Sequence, residues 1–188
     1  LFMFINLLIT GVIVGMPYVQ VKVLHFSDYY YGLTEAALSL GFILVGIYLS
    51  ARKAIRYPLL LAWKSILTIG GLVALMGAVL WLPLSTDAFF AFFLLISLIF
   101  GGISTAVNIP MMTWVTQIVP THYQGRIFNI VSTASQLLSP LGMVIFSLGF
   151  DYLPASLLFL LCGAIMIGVT AYWPRFYKVN ILSNQLED

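Results

Sequence analysis

Three sets of uncharged polar side chains, spaced at helical intervals inside long apolar runs, are the residues of this chain best placed to do chemistry. The first stripe is Asn6, Thr10, Ile13, Pro17 and Gln20, at alternating steps of four and three. The second is Thr105, Asn108, Met112 and Thr116, and the third is Asn129, Thr133 and Gln136, ending at Ser139 or Pro140. Amides and hydroxyls of this kind bind by hydrogen bonding and carry no titratable proton near neutral pH. An amide in hydrocarbon without a partner costs several kcal/mol, so each stripe must face protein or water. Two readings stand. The stripes either join helices to one another, at about 0.6 kcal/mol per contact, or line a wet cavity for a small solute. On the second reading the lining residues are Asn6, Thr10 and Gln20, then Thr105, Asn108 and Met112, then Asn129, Thr133 and Gln136.

Groups that could catalyse are placed less favourably. Ser104, in GGIST, has no histidine at membrane depth to activate it, because His25 and His122 fall in breaks between apolar runs. Cys162 is alone and sits within LFLLCGAIM, where a cysteine acts as a small apolar packing residue. No metal or phosphate-binding signature occurs, so no cofactor is expected. No acid lies deep in any run; Glu35 is about one turn inside the second, and Lys22 and Lys64 lie near run ends, where they snorkel. The pattern points away from an enzyme. A six-span enzyme of the intramembrane-protease kind and a non-transporting receptor or structural partner are the alternatives.

The elements that must position these stripes are membrane helices. The chain is 62% hydrophobic and 7% charged with a mean hydropathy of +1.07, against about 25% charged residues in soluble proteins. Lipid must therefore be its solvent, and an all-α membrane fold is expected, because a barrel would show alternating strands of about 10 residues. Six apolar runs, each near the roughly 20 residues that cross a bilayer as helix, predict spans at about 1–24, 34–51, 58–83, 87–119, 126–150 and 153–173. Seven of the eight basic residues lie in or beside alternate breaks: Arg52, Lys53, Arg56 and Lys64, then Arg126, then Arg175 and Lys178. Asp28, Glu35, Asp87 and Asp151 occupy the others. The positive-inside bias then places both ends of this six-span domain in the cytoplasm, in a multi-pass cell (inner) membrane protein. A net charge of +2 gives no reason to expect a nucleic-acid partner.

Polarity and proline divide the spans. The third and sixth are nearly bare of polar groups and suit a lipid-facing scaffold, whereas Pro17, Pro110 and Pro140 lie inside the three striped spans, as hinges would. A faint repeat at an offset of 93 residues pairs Val14, Pro17, Tyr30, Gly32, Ser39 and Leu44 with Val107, Pro110, Tyr123, Gly125, Ser132 and Leu137. Three plus three spans of opposite orientation is the inverted-repeat plan of many secondary transporters.

From Asn108 to Asp151 the chain resembles helices ten and eleven of the major facilitator superfamily, notably the drug-efflux branch that includes macrolide and siderophore exporters. The resemblance rests on Pro110, on the loop of Val119, Pro120, Gly125 and Arg126, and on Pro140, Leu141 and Gly142. Pro17, the run YGLTEAALSLG with Gly32, Glu35 and Gly41, and Gly46 before the basic loop resemble helices seven and eight. It implies the C-terminal six-helix half of a twelve-helix fold, whose N-terminal half is expected upstream of Leu1. The first, second, fourth and fifth spans would line a central cavity, with the third and sixth outside. It further implies a proton-coupled exporter (an antiporter) of drug-like or amphipathic small molecules working by alternating access. The partners expected are such a solute, the missing N-terminal half and membrane lipid. The proton-carrying acid would belong to that other half. Arg52, Lys53, Arg56, Gly125 and Arg126 would form a cytoplasmic latch between halves. Ser50 stands where the family's basic loop carries an acid, so this loop lacks its own acidic interlock.

Overall fold

A computed structural model describes residues 2–51 and 57–176. Among them all regular structure is helical: α1 (Phe2–Tyr18), a π-helical turn (Val19–Val23), α2 (Asp28–Ser50), α3 (Pro58–Val79), α4 (Thr86–Ile118), α5 (Thr121–Leu137), α6 (Ser139–Tyr152) and α7 (Ala155–Phe176). Five of the stretches so formed are long and apolar enough to cross a membrane by length and composition. The all-α membrane architecture expected from composition is the one observed.

Local sequence explains where the helices start. Ser27 and Ser85 cap α2 and α4, each side-chain oxygen accepting the backbone N–H three residues on at 3.3 Å, and Asp28 and Asp87 follow in the first turns. A serine cap followed by an acid satisfies orphan donors and complements the helix dipole. Pro58 opens α3, where its fixed φ and missing N–H cost nothing.

The fifth span departs from expectation. A single helix over 126–150 is replaced by α5 and α6, of 17 and 14 residues, each too short to cross a bilayer of about 20 residues' depth alone. Pro140 causes the break: it has no N–H to donate to the carbonyl of Gln136, and it sits in the first turn of α6 instead of mid-helix. Leu138 keeps α-region angles and its carbonyl accepts from Gly142 N at 2.8 Å, so the two helices continue one another. The first span also changes character, because beyond Pro17 the helix widens into the π turn. There Leu24 N bonds Val19 O at 2.8 Å, and His25 takes a left-handed φ of 52°.

The core runs through α1, α3, α4 and α7. Val12 and Val19, Ile69, Val73 and Met76, Phe93, and Phe159 and Met166 are almost wholly removed from the surface. The two apolar spans pack on each other: Gly70, Gly77 and Gly163 bring α3 and α7 together, Trp63 Nε1 donates to Thr170 O and Trp81 Nε1 to Ser156 Oγ, both at 2.8 Å. Hydropathy alone does not separate lipid-facing from protein-facing sides, since lipid tails are as apolar as leucine. α2 lies outermost beside α4, burying within its own length only Thr34 and Gly41, and α6 packs on α1.

Candidate functional site

A cleft of about 390 Å³ opens between α1, α2, α3 and α4. Its polar lining is Asn6 from α1 with Ser104 and Asn108 from α4, and its apolar walls include Ile9, Phe42 and Phe100. Helical spacing puts Ser104 and Asn108 on one face, four residues apart. Asn108 Nδ2 donates to Ser104 O at 2.9 Å, which holds the amide against its own helix. Among the described residues its Oδ1 and the Ser104 hydroxyl have no protein partner, and both residues line the cleft. The lining contains no ionisable side chain. Such a site can hold a solute of moderate size by apolar contact and orient it by a few hydrogen bonds.

Of the nine expected lining residues, the structure brings Asn6 and Asn108 together in this cleft. Thr10 is buried, its hydroxyl donating to Asn6 O at 2.9 Å and its methyl facing Gly142 of α6. Gln20 is buried in the π turn, where its Oε1 accepts from the Thr34 hydroxyl of α2. The Thr34 hydroxyl is also 2.8 Å from Tyr31 O, while Gln20 Nε2 has no partner among the described residues. Thr105 sits in the seam between α2 and α4, with Gly101 O at 3.1 Å and Phe42 O at 3.4 Å. Met112 is 58% exposed, beyond the cleft. Asn129, Thr133 and Gln136 lie exposed on α5 and do not line this cleft; Gln136 Nε2 donates to Ser132 Oγ at 2.9 Å. The cleft draws on α3 through Ile66 and Ile69 and on nothing from α5.

The expected hinges fall at three different places. Pro17 precedes the π turn, Pro110 is buried within an unbroken α4, and Pro140 starts α6. Of the latch residues, Gly125 and Arg126 are exposed near the start of α5, while Arg52, Lys53 and Arg56 lie outside the described residues. Sequence reasoning missed Ser104 as a lining group, although its step of four from Asn108 was the signal, and it missed Gln124. That side chain donates to Thr116 O at 2.9 Å and Val119 O at 3.0 Å, so it caps the end of α4 and ties it to α5.

At the opposite end, near the start of α2 and α4, aromatic rings close the bundle. Tyr30 stacks on Phe90 with centroids 4.1 Å apart, and its hydroxyl donates to Asp87 at 3.1 Å. Phe26 meets Tyr30, Phe90 and Phe93 edge-on at 5.9–6.3 Å.

The family model described as Major Facilitator Superfamily matches residues 1–143. An uncharacterized MFS-type transporter of Bacillus subtilis (strain 168), YfiS, is 36% identical over 78 residues, which is 42% of this chain. That match spans 18% of the relative's length. No solved structure matches the chain at a significant level.

Proposed function

Since the chain belongs to the Major Facilitator Superfamily, we propose that its multi-pass helices form one six-helix half of a secondary active transporter. The helix order, α1 to α3 followed by α4 to α7, corresponds on this reading to the C-terminal half, helices seven to twelve, of a twelve-helix export protein of the drug-efflux type. The cleft carries the proposal: amides from two helices and a hydroxyl face a space bounded otherwise by isoleucine and phenylalanine, which suits a drug-like, amphipathic solute. A site between helices of two halves that rock about it is the alternating-access arrangement.

The rest of the reading follows from what this half lacks and leaves open. No acid faces the cleft, so proton coupling in the antiporter is assigned to a carboxylate of the other half. α5 and α6 present a broad exposed side holding Asn129, Thr133, Gln136, Leu141 and Val144, and the other half is the partner proposed for it. Gly125 and Arg126 lie exposed in the second turn of α5, where the guanidinium can attract a carboxylate of the other half, as a cytoplasmic latch would. With the basic breaks inside, the chain sits in the inner membrane with both ends in the cytoplasm.

The test uses intact cells expressing the complete transporter that contains this chain, loaded with a panel of amphipathic fluorescent dyes. Asn6→Ala together with Asn108→Ala is expected to slow energy-dependent dye efflux at least several-fold at equal membrane abundance. Efflux unchanged for every exported dye would remove the cleft from the transport path.

A further inference from the structure

Resting on the reading of the cleft as the solute site, we propose that it selects uncharged solutes bearing a single carboxamide or hydroxyl group, and that Asn108 and Ser104 are the residues that read this group. The geometry supplies the pairing. Asn108 donates one amide hydrogen to its own helix at Ser104 O, which fixes the side chain and leaves Oδ1 to accept. One turn away the Ser104 hydroxyl can donate or accept. A carboxamide presents an N–H and a C=O side by side, so it meets both groups at once, and an alcohol meets either.

Charge is excluded by what surrounds the pair. The remaining lining includes Ile5, Ile9, Leu38, Phe42, Ile69 and Phe100, with no side chain of either sign. A carboxylate or ammonium held here gains no counter-ion from this lining, so nothing offsets the hydration it gives up against the apolar walls. The uncharged group loses far less and recovers it in two hydrogen bonds. The volume of about 390 Å³ sets the size class: a bicyclic aromatic amide fits, whereas a macrocycle does not fit within this cleft alone.

Three probes of one shape separate these claims: naphthalene-2-carboxamide, naphthalene-2-carboxylate and 2-naphthyltrimethylammonium. Binding to the full chain in lipid nanodiscs is measured at pH 7 by equilibrium dialysis. The carboxamide is expected to bind saturably, and the two ions at least about tenfold more weakly, because neither gains a counter-ion or the paired hydrogen bonds there. Asn108→Ala, at an exposed position, is expected to weaken the carboxamide about tenfold, in line with loss of one or two neutral hydrogen bonds. The same change should leave the ions' weak binding as it was.

Val107→Trp fills the cleft and should abolish saturable binding; Ile13→Trp, on the exposed lip, is a second filler if the first disturbs folding. Carboxamide and ions bound equally, all lost on filling, would overturn the selectivity while keeping the cleft as a solute site. Carboxamide binding that survives both fillers, or never saturates, would overturn the cleft itself. Carboxamide preference that survives Asn108→Ala would overturn the assignment to Asn108.

Discussion

Among the described glycines, those at the crossing of α2 and α4 leave the least room for a side chain, which makes a quantitative test of the packing. A methyl group added at Gly41 would lie 2.1 Å from Leu98 O, and one added at Gly101 would lie 2.2 Å from Leu38 O. Both obstacles are backbone carbonyls, which cannot swing away as a flexible side chain can. Alanine at either position therefore requires the helices to separate locally by about 1 Å, an overpacking that costs about 1–3 kcal/mol. Gly71 and Gly168 provide internal controls, because nothing lies within 4 Å of a methyl group there. At these two positions alanine should stabilise by up to about 1 kcal/mol through helix propensity alone. The two pairs of variants should thus differ by about 1–4 kcal/mol, or roughly 2–16 °C in unfolding midpoint for a chain of this size. Circular dichroism of the chain in one mild detergent at one scan rate reads the difference. The double variant Gly41→Ala, Gly101→Ala should cost less than the sum of the singles, since one separation relieves both contacts. Equal midpoints for Gly41→Ala and Gly71→Ala would refute the close crossing.

Two further outcomes follow from the polar and aromatic contacts between helices. Gln20→Met removes a buried donor that has no partner and one hydrogen bond to a threonine that keeps a second acceptor, so stability should stay within about 1 kcal/mol of the parent. Gln20→Ala, which leaves a void, should lose about 2–5 kcal/mol. If the Met variant unfolds as readily as the Ala variant, the amide of Gln20 has a partner that the packing does not show. Phe26→Ala should cost about 3–5 kcal/mol by emptying the space between Tyr30, Phe90 and Phe93. Tyr30→Phe keeps the stacked ring and loses only an exposed hydrogen bond to Asp87, so its cost should stay below about 1 kcal/mol. The reverse order of these two midpoints would mean that the hydroxyl, and not the rings, closes this end.

How far the structure was legible in the sequence depends on what lipid makes physically visible. Run length and hydropathy report depth in the bilayer, so the helical class and most helix positions followed from composition. Gly32 and Gly125, paired in the faint repeat, are each the fifth residue of their helices, α2 and α5, and each has open space around it. Period 3.6 places residues on a common face but does not say what that face meets. Asn6 and Thr10 share a stripe, yet one lines the cleft while the other is turned toward Gly142. The angular drift along a straight helix is part of the reason. Proline supplies the remainder, because it changes the register after itself: beyond Pro17 the π turn inserts an extra residue and rotates Gln20 out of line with Asn6, toward Thr34. Beyond Gln136 the same residue type breaks the helix and leaves the third stripe on the exposed α5. A polar stripe that crosses a proline therefore belongs to two faces, and the partner of each half must be sought separately. On that argument the α5 stripe of Asn129, Thr133 and Gln136 is to be tested against the other half of the transporter, and the cleft against its solute.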